Sequence, residues 1–183
     1  MQSFFQRMLG AARLDVPTYE EVEHDKSATG QAAGVVALSA LAAGVGAMAQ
    51  GGIAALLLTG LAALLGWVIW AAIIWAVGTK LLPEAQTEAD IGQLLRTLGF
   101  AAAPGVLRVF AFIPLLGPLV MLVVAVWMLA TTVVAVRQAL DYKSTWRAVG
   151  VCVIGWVVQL LIIALIGSAA GFGMGGPTPA PAA

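Results

Sequence analysis

The residues whose types could do chemistry are few, and the tightest group of them lies near the N-terminus. His24 is the only histidine of the 183-residue sequence, and Asp25 and Ser27 follow it closely. A serine nucleophile needs a base beside it and a third group that orients the base. Three residues on one turn of a short helix do not reach that arrangement, so we expect a solvated helix face here and no catalytic triad.

Other kinds of chemistry have still less support. Glu84, Asp90 and Asp141 are the candidate acid and base groups of an enzyme acting on lipids at the membrane interface, but their spacing supports no such pair. The only cysteine, Cys152, lies in an apolar run, and no cysteine and histidine cluster is spaced for a metal. Nucleotide-binding and metalloprotease motifs are absent from the sequence. We therefore predict a protein that is not an enzyme, with no metal site and no cofactor.

The composition indicates a membrane protein. Hydrophobic residues make up 61% of the sequence and charged residues only 10%, whereas soluble domains are roughly 45–50% apolar and about 25% charged. The formal net charge is zero, so no basic field favours a nucleic acid partner. Because a lipid solvent accepts such a composition, we predict an all-α fold, a polytopic membrane helical bundle with short interfacial amphipathic helices.

Five apolar runs are candidates for membrane-spanning helices, which need about 20 apolar residues. The third run is ambiguous because it is shorter, contains Pro104 and Gly105, and carries Arg108. We predict a transmembrane domain over residues 30–170 and a disordered Gly/Pro/Ala-rich tail outside the membrane over residues 171–183. The five predicted spans cover residues 31–49, 53–78, 98–113, 115–136 and 148–170.

The loop charges decide whether the third run spans, since positive residues concentrate on the cytoplasmic side of membrane proteins. If it spans and the N-terminus is inside, Arg108 alone among the lysines and arginines lies outside. The cations inside are then Arg7, Arg13, Lys26, Lys80, Arg96, Arg137, Lys143 and Arg147. If the run does not span, the cluster at residues 137–147 moves outside. We predict five spans, with the N-terminus cytoplasmic and the C-terminus outside.

Residues 1–29 are predicted to form a cytoplasmic segment that is amphipathic and then acidic. Within it, residues 2–14 form an interfacial helix whose apolar face consists of Phe4, Phe5, Met8, Leu9 and Ala12. Pro17 ends that helix. Thr18 and Glu21 have the spacing of a capping box and start a second short helix.

A second amphipathic element is predicted just before the third span. Its apolar residues follow the helical spacing i, i+3, i+4, i+7 and are Ile91, Leu94, Leu95 and Leu98. Thr87 and Asp90 resemble its capping box. We expect this element to lie on the inner membrane surface and to lead into the third span.

Charged residues at the cytoplasmic ends of the spans form the first candidate site. Arg96 and Arg137 are placed to pair with acidic residues of the N-terminal segment and to dock that segment under the bundle; a free N-terminal arm is the alternative. Arg137 and Asp141 are one turn apart, so an i,i+4 ion pair is a simpler role for them. The candidate interaction cluster comprises Tyr19, Glu20, Glu21, Glu23, Asp25, Arg96, Arg137 and Asp141.

Arg108 is the second candidate site, because an ionisable residue within a span is costly and often functional. In one interpretation it lies near the outer end of the third span and extends its side chain to the headgroups. In the other it faces the bundle beside the Pro104-Gly105 break and contacts a lipid headgroup or another anion, as interrupted helices do in transporters.

Several segments together resemble the Yip family, the five-span integral membrane proteins named for their interaction with Ypt/Rab GTPases, and in particular its bacterial branch. The segments are residues 19–23 (YEEVE) with Asp25, 28–32 (ATGQA), 78–80 (GTK), 96–101 (RTLGFA) with Pro104-Gly105, and 134–141 (VAVRQALD). The resemblance implies a cytosolic N-terminus, five spans and a C-terminus outside, here in a bacterial cytoplasmic membrane. The Asp-Leu-Tyr-Gly-Pro and Gly-Tyr motifs of the eukaryotic members do not occur in this sequence.

Two functions from different classes follow from these observations. The first is a non-enzymatic Yip-like membrane protein that organises protein partners or lipids through its cytoplasmic face. The alternative is a small transporter, channel or lipid-moving protein that uses the Pro104-Gly105 break and Arg108. Membrane lipids are the expected partners, with a possible protein partner at the cytoplasmic face. Small residues at four-residue spacing, such as Gly99 and Ala103, pack the bundle or support a homo-oligomer.

Overall fold

The structure is a computed structural model that describes residues 2–113 and 115–169; for residues 46–51 and 169 it describes the backbone alone. Within these residues the chain is helical and contains no strand. The α-helices are α1 (Phe4–Ala12), α2 (Val16–His24), α3 (Thr29–Ala76), α4 (Ile91–Ala101), α5 (Gly117–Ala139) and α6 (Thr145–Ala169). A 3-10 turn, a π-helical turn and a longer 3-10 segment adjoin them at Lys26–Ala28, Val77–Leu81 and Ala103–Phe112. The tail predicted at residues 171–183 lies outside the described residues.

Five helical segments of the described chain are long and apolar enough to cross a membrane. They are Lys26–Val45, Gly52–Leu81, Ile91–Phe112, Gly117–Ala139 and Thr145–Ser168. The prediction of an all-α, five-span membrane protein is therefore confirmed. The polar end of the bundle is the end at which Lys26, Lys80, Asp90, Arg137 and Thr145 lie.

The candidate third span begins earlier than predicted, at the start of α4. The stretch from Ile91 to Leu98, expected on the membrane surface, is the first part of α4 and runs directly into the 3-10 segment. Its apolar face is covered by protein, since Leu94 and Leu98 are buried in the core. The amphipathic pattern thus reflects a helix packed in the centre of the bundle with a polar side toward α2, and the surface placement is wrong.

Helix α3 contains the first two spans and the sharp turn between them. Gly52 marks that turn with φ 62° and ψ −158°. Only glycine adopts this backbone region without steric cost. The two spans are therefore joined directly, with no polar loop.

The two helix starts near the N-terminus and before the third span differ from the predicted caps. Asp15 caps α2 by accepting a hydrogen bond from the Thr18 N–H, and Pro17 lies in the first turn of that helix. Proline is favoured there because its missing N–H has no helical partner. Asp90 and Gln93 form the capping box of α4, in place of Thr87 and Asp90.

Helix α4 and the 3-10 segment form the centre of the bundle. Gly99 faces Ala32 so closely that a Cβ atom added at Gly99 would lie 2.6 Å from the Ala32 Cβ and 3.1 Å from its backbone. A small residue is thus required for the first and third spans to approach each other. The predicted break at Pro104 appears as the change from α-helix to 3-10 helix after Ala101.

This packing gives a first testable prediction. Gly99→Ala should destabilise the bundle by about 1–3 kcal/mol, because the added methyl group overlaps the Ala32 backbone. Gly60→Ala is the matched control: it lies inside a span with nothing near its Cβ position, and it should be neutral or stabilising by up to about 1 kcal/mol. Thermal unfolding in detergent, followed by circular dichroism, measures both. Equal midpoints for the two variants would contradict the close packing.

Candidate functional site

The acidic N-terminal segment is folded against the bundle. Helices α1 and α2 form the N-terminal hairpin, which packs on α4, α5 and the 3-10 segment at the polar end. The amino-acid sequence left two alternatives open, a docked segment and a free arm, and the described geometry is the docked one. Most of the contacts that hold the hairpin differ from those predicted, as the individual residues show.

Arg7 is the central residue of the hairpin, and only 1% of it is exposed. One terminal nitrogen of its guanidinium donates to Glu21 at 2.8 Å and to Asp25 at 2.7 Å. The other donates to the Gln31 side chain at 3.1 Å. A single cation therefore joins α1 to α2, to the 3-10 turn and to the first span.

This ion pair perturbs its members in opposite directions. The hydrogen bond from Arg7 lowers the pKa of Glu21, although its partial burial opposes the shift. The hydrogen bonds from Ser27 and Arg7 lower the pKa of Asp25 in the same way. Burial disfavours the charged form of Arg7, but the two carboxylates outweigh that cost and raise its pKa above the usual value. Both carboxylates are thus held ionised around the buried guanidinium.

Arg96 docks the hairpin through backbone atoms. Its guanidinium donates to the carbonyl oxygens of Val22, at 3.0 Å, and Glu23. These are carbonyls of the last turn of α2, which has no helical donors for them and carries the negative end of the helix dipole. The predicted ion pair between Arg96 and an acidic side chain is therefore wrong, because the Arg96 guanidinium binds the helix-terminal carbonyl oxygens instead of a carboxylate.

Glu23 is a buried acid outside the spans. It is 3% exposed, and its carboxylate accepts a hydrogen bond from the Gln93 amide at 3.1 Å. Burial raises the pKa of Glu23 to about 7; the negative charges of Asp141 and Glu20 add to the shift, while His24 and Arg96 oppose it. Near neutral pH this carboxyl group is thus close to its titration midpoint.

Tyr19 fixes the hairpin to the fourth span. It is fully buried, and its hydroxyl lies within hydrogen-bonding distance of the Ala11 carbonyl (3.1 Å) and the Thr131 carbonyl (3.4 Å). Burial raises the pKa of this phenol well above its usual range. Trp127 donates its indole N–H to the Ala12 carbonyl at 2.7 Å. The hairpin therefore binds to the middle of α5 as well as to the end of α4.

The remaining predicted members of the cluster do not join it. Arg137 donates to the Tyr142 carbonyl at 3.2 Å and makes no ion pair with Asp141, so the i,i+4 pair is wrong. Asp141 is exposed at the end of α5 and has a left-handed backbone, φ 53°, which rotates it away from helical register. Glu20 is exposed, and its carbonyl oxygen lies 2.8 Å from Nδ1 of His24.

The group His24, Asp25 and Ser27 does not form a relay. The Ser27 hydroxyl donates to Asp25 at 2.6 Å, while the His24 ring is bonded to the Glu20 backbone. Among residues 2–113 and 115–169, no set of three or more histidine, cysteine, aspartate or glutamate residues is grouped for a metal ion.

A second polar layer joins the loop after the second span to the start of the fifth. Glu84 pairs with Arg147 at 3.1 Å and accepts the Lys143 backbone N–H at 3.2 Å. That backbone bond lowers the pKa of Glu84. The Tyr142 hydroxyl lies 2.9 Å from the Gly78 carbonyl and 2.7 Å from the Leu82 carbonyl. Burial raises the pKa of Tyr142 to about 12, so this contact is a neutral hydrogen bond.

Arg108 lies in the 3-10 segment on the side away from the hairpin. Its only hydrogen-bond contact among the described residues is from a terminal nitrogen to the Met128 sulfur at 3.2 Å, and its buried Nε has no partner there. A cavity of about 120 Å³ beside it is lined by Ala43, Val45, Val109, Ala111, Phe112 and Met121. The guanidinium thus faces an apolar cavity between the first and fourth spans.

The position of Glu23 predicts that hairpin docking depends on pH. Because its pKa rises from 4.5 to about 7 on docking, the docked state favours the protonated carboxyl. Its contribution is fully present below about pH 4.5 and is lost as the pH rises to about 7. Protection of α2 amides from hydrogen exchange, corrected for intrinsic rates, should therefore fall between pH 5 and 8 by on the order of 3 kcal/mol.

Glu23→Gln should remove this dependence, because the amide cannot ionise. Glu20→Gln is the matched control on the exposed side of the same helix and should keep it. Protection that does not change with pH in the native chain, or that changes equally in Glu23→Gln, would contradict the burial of an ionisable Glu23.

Comparison with known proteins adds the family to this geometry. No curated protein and no solved structure matches the chain significantly. The sequence does match the family described as the Yip1 domain, over residues 18–166. That range begins in α2 and continues to the end of the fifth span, so it includes Tyr19, Glu23, Arg96 and the helices that hold them. The chain is an integral, multi-pass membrane protein and belongs to the Yip1 domain family.

Proposed function

We propose that this protein is a non-enzymatic membrane protein that organises lipids or protein partners at the polar end of its bundle, with the N-terminal hairpin as the working surface. The observation that supports the proposal most directly is the burial of Arg7 among Glu21, Asp25 and Gln31. A buried charge of this kind is costly to build, and it fixes a short segment in one position on the bundle.

The fixed hairpin has a distinctive outer surface. Phe5 is 70% exposed, and Leu9 lies on the same face of α1 and is half exposed. Glu20 and His24 are exposed on α2. The surface therefore has an apolar part suited to lipid and an acidic part suited to a polar partner, side by side.

We further propose that the polar end is cytoplasmic and that the membrane is a bacterial cytoplasmic membrane. Lys26, Lys80, Arg137, Lys143 and Arg147 lie at the polar end, and Arg108 lies in the opposite half. Because cations concentrate on the cytoplasmic side, this distribution supports a cytoplasmic N-terminus and a C-terminus outside.

Releasing the hairpin should remove the function. Arg7→Gln leaves two carboxylates without their cation, and breaking a buried pair costs about 3–5 kcal/mol. We expect residues 13–28 to become protease-sensitive. The amount of the specific lipid or protein recovered with the chain from native membranes should fall at least about fivefold, a smaller effect than the lost docking free energy corresponds to. Quantitative lipid and protein mass spectrometry after mild detergent extraction measures the recovery.

The control for this experiment is Lys26→Gln, which removes an exposed cation from the same end without a partner contact among the described residues. It should leave both readouts unchanged. Equal recovery with Arg7→Gln and the native chain, despite a released hairpin, would contradict the role of the hairpin. Repeated recovery of no specific molecule with the native chain would contradict the proposed function itself.

A second candidate function, movement of lipid or another anion, rests on the buried Nε of Arg108. An arginine in a span normally finds a partner, because unpaired polar groups in hydrocarbon are costly. The change to 3-10 helix at Ala103, beside Pro104, places this guanidinium next to the cavity between the first and fourth spans. The native residues there include no carboxylate, so a passing phosphate would be the natural acceptor.

Arg108→Leu separates this candidate from the first. If the chain moves lipid, reconstitution should transfer a labelled phospholipid between leaflets, and the variant should lose most of the rate, about tenfold, since a charge-assisted hydrogen bond is lost. Lys26→Gln should keep the rate. Absence of transfer with the native chain, or an unchanged rate with Arg108→Leu, would exclude movement through this site.

A further inference from the structure

The turn of the N-terminal hairpin contacts the middle of α5. The Ala12 carbonyl binds the indole of Trp127, and Trp127 precedes Ala139, the end of α5, by twelve residues. At 1.5 Å per residue that is about 18 Å along the helix axis. Tyr19 contacts the Thr131 carbonyl one turn closer to the polar end.

The residues that follow Ala12 are nevertheless charged and exposed. Arg13 and Asp15 are both exposed, and the Arg13 side chain makes no hydrogen bond or ion pair with the described residues. The carboxylate of Asp15 binds Thr18 through Oδ2 alone, at 2.6 Å to the hydroxyl and 3.1 Å to the N–H. One cation and one carboxylate oxygen thus have no partner among the described residues.

These two residues border an open groove of about 580 Å³. Its polar lining consists of Gln2, Gln6, Arg13, Asp15 and Thr18. The apolar part of the surface around it includes Leu9 and Leu14, which are 50% and 38% exposed. A polar groove with an apolar edge matches a molecule that has a polar head and an apolar tail.

The backbone at the turn between Arg13 and Asp15 has the geometry of a helix terminus. The Asp15 N–H binds the Gly10 carbonyl at 3.0 Å and the Leu14 N–H binds the Ala11 carbonyl at 3.0 Å, which is the Schellman pattern of helix termination. Leu14 takes the left-handed position of that pattern, with φ 63°. Glycine is usual there because a side chain costs about 1 kcal/mol or more, so this chain retains an exposed leucine at the groove despite strain.

We propose that this groove binds the headgroup of a phosphoethanolamine phospholipid. The guanidinium of Arg13 would donate to the phosphate, which it fits with two parallel hydrogen bonds. The carboxylate of Asp15 would accept from the ammonium group. The acyl chains would lie along Leu9 and Leu14. This inference rests on the proposed function in one respect, that the hairpin is the lipid-facing surface of the polar end.

The lipid headgroup would pair with both charges at the turn. A zwitterionic headgroup brings one charge of each sign, opposite in order to Arg13 and Asp15. A phosphatidylcholine headgroup has the same phosphate but no N–H donor for Asp15. A phosphatidylglycerol headgroup has no cation at all. The donor role of Arg13 toward the phosphate and the acceptor role of Asp15 toward the ammonium group can therefore be tested separately.

The test is native mass spectrometry of the full chain released from nanodiscs that contain equal amounts of phosphatidylethanolamine, phosphatidylcholine and phosphatidylglycerol. We expect the native chain to retain phosphatidylethanolamine preferentially. Arg13→Gln should reduce retention of every phospholipid about tenfold, the value of a charge-assisted hydrogen bond. Asp15→Asn keeps the helix cap and should abolish only the preference for phosphatidylethanolamine over phosphatidylcholine. Lys26→Gln should change neither.

Three outcomes would overturn the proposal: equal retention by Arg13→Gln and Lys26→Gln, a preference for phosphatidylglycerol in the native chain, or loss of bound lipid on adding millimolar inorganic phosphate, which would indicate a site for the free anion. Arg13→Lys is the second variant if Arg13→Gln unfolds; it keeps the charge and should keep the preference. If this lipid-retention test fails while Arg7→Gln still loses its other partners, the proposed function stands and only the headgroup site is wrong. The two proposals can therefore fail separately.

Discussion

A buried charge or backbone polar group needs a partner inside the protein, and the guanidinium of Arg7 is where the N-terminal hairpin meets this constraint. It is almost completely buried, and its acceptors come from α2, the 3-10 turn and the first span. Arg96 meets the same constraint differently, by using the unpaired carbonyls at the end of α2. These two cations and Tyr19 are the main polar contacts that hold the hairpin on the bundle.

The third span shows how a membrane pattern can arise without contact with the membrane surface. Apolar residues at helical spacing with polar residues opposite are typical of an interfacial helix, and α4 has this pattern. Its apolar side is covered by neighbouring spans and its polar side by the hairpin, so Leu94 and Arg96 are both buried. Periodicity records which side of a helix is apolar, but the medium on either side depends on tertiary packing. For that reason the pattern predicts a helix here correctly but does not show what covers its two sides.

The fold is therefore more predictable than the site. Span number follows from the length of the apolar runs, and those runs are a local property of the sequence. The hairpin contacts depend on residues far apart in the chain: Arg96 binds the carbonyl of Glu23, and Trp127 binds that of Ala12. A carbonyl acceptor belongs to the backbone and carries no sequence signal. Pairing residues by side-chain charge therefore predicts a contact for Arg137 and misses the one made by Arg7. One signal is present, since Arg7 lies fourteen residues before Glu21 and the two are separated by the turn at Arg13-Leu14-Asp15.

The two connections at the end of the bundle opposite the hairpin have a consequence for which molecules can meet the protein there. The first two spans are joined at Gly52 with no polar loop, and Leu115, between the third and fourth spans, is 95% exposed. These described residues offer a water-soluble macromolecule little to hydrogen-bond. Recognition through them therefore favours hydrophobic or lipid-borne ligands, whereas the hairpin side displays carboxylates, an imidazole and amides.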